Sequence, residues 1–247
     1  MDVYWLEQTK GDVPQENDWL SASECAFLDG LRFAKRRLDW RLGRWTAKRA
    51  LAVYLNLPDF LPALAKIEVR AAFSGAPEVF FENKLATAKI SLSHRSDRAI
   101  CAVAPFAAEL GCDLELIEPH SDAFVTDYFT AEEQALVTRQ SATDRPRILA
   151  VLWSGKESAL KALRAGLRMD TRCVTVELVD ASIDINGDVN GWSPLQVSYT
   201  DGRIFHGWWQ DADHMVRTVV AAPPPALPIP LKALIEFPHA ACDPGSC

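Results

Sequence analysis

The chain has no Cys-x-x-Cys pair. Its six cysteines, Cys25, Cys101, Cys112, Cys173, Cys242 and Cys247, stand apart, several of them inside apolar runs. That spacing argues against a zinc site and a disulfide framework, and it predicts reduced thiols in a cytoplasmic protein. No apolar run is long enough to span a membrane. The start, Met1-Asp2-Val3-Tyr4-Trp5, has neither the basic flank nor the apolar stretch of a signal peptide. Positive charge is also short: 26 Lys and Arg against 33 Asp and Glu give a net charge of -7 over 247 residues. Such a chain lacks the broad basic surface that grips nucleic acid, although a local basic pocket can still hold a small phosphorylated ligand. What is present is ordinary for a soluble globular protein, 49% hydrophobic and 24% charged residues. The length suits two small domains better than one core.

Periodicity divides the chain into elements. Ser21 or Ser23 caps a helix predicted to run through Cys25, Leu28 and Leu31 toward Leu38, and a second covers about Trp40 to Leu55 before Pro58 and Pro62. Strands are predicted at Ile67–Phe73, Glu78–Phe81, Lys89–Ser93, Arg98–Ala104 and Leu110–Ile117. Helices follow at Thr130–Val137 and Arg147–Leu163, then strands at Cys173–Val179, Leu195–Tyr199, Arg203–Gln210 and Met215–Ala221, with a hairpin turn at Asp201-Gly202. Helices then strands, twice over, predict two similar α+β halves, though no residue-level repeat is visible. The expected division is 1–115, 116–222 and a Pro-rich extended tail, 223–247.

Four segments can carry chemistry. In Gly111-Cys112-Asp113-Leu114-Glu115-Leu116, strand alternation puts Asp113 and Glu115 on one face. The pair is either a solvated acidic face or a set of oxygen ligands for a cation such as Mg²⁺. In Trp153-Ser154-Gly155-Lys156-Glu157-Ser158-Ala159-Leu160-Lys161, helical spacing pairs Glu157 with Lys161, as a surface ion pair or as part of a site. Ser91-Leu92-Ser93-His94-Arg95 ends a strand in hydroxyl and cationic donors that suit a phosphate, or is a polar loop. Arg37, Arg41, Arg44 and Lys48 recur at helical spacing, as a cationic stripe or a solvated face.

Taken together and in this order, these segments resemble the two-domain 4′-phosphopantetheinyl transferases that activate nonribosomal peptide and polyketide synthases. The family's G-[IV]-D-[IVL]-E strand reads here as Gly111 to Glu115. Its [FW]-x-x-K-E-[SA]-x-x-K helix reads as Trp153 to Lys161, and S-x-S-H and Arg-x-x-x-Lys (Arg44 to Lys48) lie upstream. Ala76 stands where the family often has lysine in a G-K-P turn, so the resemblance implies only a backbone contact from Gly75 and Pro77 to the adenosine end of coenzyme A.

The resemblance implies an α+β fold of two similar subdomains in a pseudo-twofold arrangement, with antiparallel sheets, helices and the active site in the cleft between halves. It implies Mg²⁺ held by Asp113, Glu115 and Glu157 with the pyrophosphate of coenzyme A. Lys156 and Lys161 would offset charge on the leaving 3′,5′-ADP, and Glu157 would take the proton. Ser93, His94, Arg44 and Lys48 would hold the ribose 3′-phosphate or the pyrophosphate. The implied partner is an acyl or peptidyl carrier protein, docked along Glu118 to Val137 with Phe124, Tyr128 and Phe129 as apolar candidates. Nucleic acid and membrane are not expected as partners, and a monomer is. The competing readings are a coenzyme A or carrier-protein binding module without catalysis, and a metal-dependent nucleotide phosphoesterase.

Overall fold

The structure, a computed structural model, describes residues 1–58, 60–165, 169–179 and 191–231. In chain order its elements are β1 (Tyr4–Thr9), α1 (Ala22–Asp29), α2 (Ala34–Tyr54), α3 (Leu61–Leu64), β2 (Ile67–Ala71), β3 (Pro77–Phe81), β4 (Lys84–Leu85), β5 (Ala88–Arg95), β6 (Arg98–Pro105), β7 (Glu109–Leu116), α4 (Asp122–Tyr128), α5 (Ala131–Thr138), α6 (Arg145–Ala162), β8 (Val174–Leu178), β9 (Ser193–Tyr199), β10 (Ile204–Ala212), β11 (Met215–Ala222) and β12 (Ile229–Pro230). The fold is α+β, as expected, with helices against sheets ordered β12-β1-β6-β5, β7-β11-β10-β9-β8 and β2-β3-β4. The described ladders are antiparallel except β1 with β12.

The helix expected from Ser21 toward Leu38 is two helices. Ser21 caps α1 by a capping box with Glu24, and α1 stops at Gly30. The chain bends over Leu31-Arg32-Phe33, and α2 starts at Ala34, so Trp40 lies inside a single 21-residue helix. Strand β1 and helix α4 carry no strong periodic signal and escape a sequence reading. Residues 232–247, with Cys242 and Cys247, and residues 180–190 lie outside the described residues.

Two strands carry apolar residues on both faces because both faces are covered. Along β6, Cys101 and Val103 join the core beneath α2, while Ile100, Ala102 and Ala104 face Leu110, Cys112 and Leu114 of β7. Along β11, Val216 and Val220 join the core around α6, and Met215, Val219 and Ala221 face the middle layer. That middle core packs the four- and five-stranded sheets together. Strand β7, on which the expected boundary at residue 115 falls, pairs with β11.

The long helices α2 and α6 are anchored in the same way. Lys48, 0% exposed, pairs with Glu24 and donates to the Trp19 and Leu64 carbonyls. Lys156, also 0% exposed, pairs with Glu133 at 2.8 Å and donates to the Thr171 and Val174 carbonyls. Glu24 and Glu133 are each the third residue of a capping box, and each accepts the backbone N–H of a strand residue, Val69 or Val176. Each lysine sits in a Trp-x-x-Lys run, Trp45 to Lys48 and Trp153 to Lys156. The two anchors thus share the same residue types in the same roles, at too few positions for the sequence alone to display.

Beyond β11 the tail is not merely laid over the surface. Ile229 donates to the Val3 carbonyl and Leu231 to that of Trp5, which adds β12 beside β1. Leu231 enters the first core.

Candidate active site

Strand β7 carries Asp113 and Glu115, and helix α6 lies directly on it. The contact is close because residue 111 is glycine: a Cβ there would stand 1.7 Å from the Ser158 carbonyl oxygen. Helix α6 is held to β11 by buried hydroxyls, with Thr218 Oγ1 at 2.9 Å from Ser154 Oγ and 2.6 Å from Ser158 Oγ. This packing turns Glu157 and Lys161, four residues apart, toward β7.

Asp113 is buried. Its Oδ1 accepts from Ser93 Oγ at 2.7 Å and from Lys161 Nζ at 2.7 Å, and Lys161 also donates to the Cys112 carbonyl at 3.1 Å. Asp113 Oδ2 is buried with no hydrogen-bond partner. Burial, and then the charge of Asp113, push the Glu115 carboxyl up to about 7, with Glu157 adding to the rise. Burial and Asp113 likewise raise Glu157. Burial works against the charge on Lys161, but Asp113 and its neighbours outweigh it and hold the lysine above its ordinary value. The three acids therefore sense one another across β7 and α6. Arg95 offsets part of this charge, 3.4 Å from Glu115 and 2.6 Å from Glu118.

Among the described residues no three His, Cys, Asp or Glu side chains are gathered closely enough to enclose a metal ion as they stand. The donors nevertheless suit one chemically. They are all carboxylate oxygens, one is buried and unpartnered, and two are held above their usual range by burial and then by the charge of Asp113, both of which a divalent cation offsets.

Next to the acids is a cavity of about 840 Å³. Lys161 links the two, because its side chain reaches Asp113 and also lines the cavity. Arg44, Gly75 and Pro77, expected at the ligand, line this cavity too, and the positive φ of Gly75, +87°, makes the turn there. Its walls add three further cations, Arg70, Lys89 and Arg164, against, among the described residues, the single acid Glu109. His94 lines a neighbouring cavity of about 730 Å³ with Asp39, its Nε2 4.0 Å from Asp39 Oδ2, and Arg44 borders both cavities. Asp39 also escaped the sequence reading; it draws in Lys10 and Lys35 at 3.1 and 2.7 Å.

Lys48 and Lys156 are not brought to this place. Each is fully buried with its donors spent on a glutamate and two carbonyls, the neighbours that compensate a buried ammonium. The cationic stripe is likewise mostly structural. Arg37 donates to the Leu28 carbonyl at 2.6 Å, and Arg41 donates to the Pro14 and Gln15 carbonyls. Of the aromatics after β7, Phe129 is fully buried, and Phe124 and Tyr128 pack on Trp153, with Tyr128 41% exposed.

Buried carboxylates beside a cation-lined cavity, on an α+β frame, make a site suited to a phosphorylated ligand. Residues 109–208, from β7 into β10, match the 4′-phosphopantetheinyl transferase superfamily. That span contains Asp113, Glu115, Glu157 and Lys161. No curated protein matches the chain. No helix among the described residues is long and apolar enough to cross a membrane.

Proposed function

We propose that the protein transfers the 4′-phosphopantetheine arm of coenzyme A to a serine of an acyl or peptidyl carrier protein, releasing 3′,5′-ADP. The observation that supports this reading most is the junction at Lys161: one side chain joins the acids of β7 and α6 to a cation-lined cavity, within the stretch that matches the transferase superfamily. We read the two α+β halves, 1–115 and 116–222, as a pseudo-twofold pair with this site between them, acting as a monomer.

In this reading Asp113, Glu115 and Glu157 hold Mg²⁺, which neutralises charge on the pyrophosphate when bound. Arg44, Gly75 and Pro77 hold the adenosine end, and Ser93 and His94 border its phosphates. Lys161 faces the oxygen of the departing 3′,5′-ADP. The serine oxygen bonds to the phosphorus that bears pantetheine as the bond from that phosphorus to 3′,5′-ADP breaks. Glu157 accepts the serine proton. The carrier docks along Glu118 to Val137, where Tyr128 is exposed.

The test is mass spectrometry of a panel of apo carrier proteins incubated with the enzyme, coenzyme A and Mg²⁺. The expected result is a phosphopantetheine mass added to the carrier serine, and a loss of rate of about a hundredfold or more in Asp113→Asn. That variant retains the volume of the side chain and an oxygen for Ser93. Coenzyme A binding without transfer to any carrier would favour a binding module, and hydrolysis of coenzyme A without an acceptor a phosphoesterase.

A further inference from the structure

Two cations in the cavity have neither a role in the reading above nor an acidic partner among the described residues. Lys89, on β5, and Arg164, just past α6, both line it, and among the described residues neither forms an ion pair. The other cations there are already engaged: Arg70 with Glu68 and Asn83, Lys161 with Asp113, and Arg44 at 3.8 Å from Glu24. Glu109, the acid in the wall, lies 3.7 Å from Arg203, and Glu78 acts on Lys89 only through space. The Lys89 ammonium rests over the Phe106 ring, 4.7 Å from its centre, which orients it without neutralising it. Burial, and then the charge of Arg164, depress the lysine. Arg164 closes α6 with φ at +55°, a left-handed position usually given to glycine. Its N–H donates to the Lys161 carbonyl and that of Ala165 to the Leu160 carbonyl. Two like charges in one cavity, one on a backbone conformation that disfavours a side chain, repel until an anion lies between them.

We propose that Lys89 and Arg164 form a phosphate-binding subsite of this cavity, distinct from the carboxylates of β7 and α6. The subsite rests on coenzyme A being the ligand. Coenzyme A carries phosphate at two places, the pyrophosphate and the ribose 3′-phosphate, and both offer the same oxygens to a lysine and an arginine.

The experiment is calorimetric titration of wild type, Lys89→Ala and Arg164→Gly with coenzyme A and with dephospho-coenzyme A, which lacks the 3′-phosphate, in Mg²⁺ at two salt concentrations. Glycine suits the backbone at 164, so that variant is expected to fold, and circular dichroism checks both variants. Each substitution is expected to weaken coenzyme A binding by about tenfold and to flatten its salt dependence. A loss confined to coenzyme A assigns the subsite to the 3′-phosphate; an equal loss with both ligands assigns it to the pyrophosphate. Variants that bind both ligands as tightly as wild type overturn the subsite alone. Wild type that binds neither ligand overturns the coenzyme A reading and the subsite together, before any variant is measured.

Discussion

Glu115 shows how one side chain couples the site to pH. Burial and the nearby Asp113 raise it to about 7 from an ordinary 4.5. Between these values the folded chain holds a proton that the unfolded chain has released. The stability from this group is complete below about 4.5 and is lost as pH rises toward 7. A cation bound there replaces the proton, so binding strengthens as pH rises through the same window. Thermal melts should therefore show Mg²⁺ raising the midpoint by several degrees at pH 8 and by much less at pH 5.5. Equal shifts at both values would count against Glu115 as a ligand. The same scale explains what the letters could not tell about lysine. Lys48, Lys156 and Lys161 all look like candidates in the sequence, yet the first two carry a glutamate and two carbonyls each, and only Lys161 faces both Asp113 and the cavity.

At the scale of elements, the site depends on how closely α6 lies on β7. Gly111 sets that distance, since any Cβ meets the Ser158 carbonyl. Gly111→Ala is expected to cost about 3 kcal/mol of stability by overpacking. It should also push α6 outward and weaken metal binding, because Glu157 and Lys161 ride on that helix. Urea denaturation measures the first effect and calorimetric metal titration the second. A variant as stable as wild type would mean that the strand and helix can separate without cost. Elements with strong signals were legible: the caps at Ser21 and Thr130, α6 and the β9–β10 hairpin at Asp201-Gly202 follow from local chemistry. β1 and β12 were not, because each takes its place from its partner strand more than from its own pattern.

Over the whole molecule, a small polar network joins the first strand, β1, to β11. Glu7 on β1 accepts from Arg217 on β11 through both oxygens, and from Arg98 on β6 at 2.9 Å. Arg217 is 4% exposed, so removal of its partner strands a buried cation. Glu7→Ala is expected to cost about 3 kcal/mol. Because the carboxylate ties the four-stranded sheet to the five-stranded one, the urea transition should also become less cooperative, read as a lower slope. An unchanged midpoint would show that the middle core alone holds the sheets together.

The sequence by itself determined the α+β class, the face-sharing of Asp113 with Glu115 and of Glu157 with Lys161, and the acidic balance that limits basic character to a pocket. These follow from periodicity and composition, which are local. Only the tertiary structure decided which lysines are buried, that β6 and β11 are covered on both faces, and that Lys89, Arg70 and Arg164 converge on one cavity with Lys161. Periodicity states which residues share a face; what covers that face depends on segments more than a hundred residues away, such as β1 against β11.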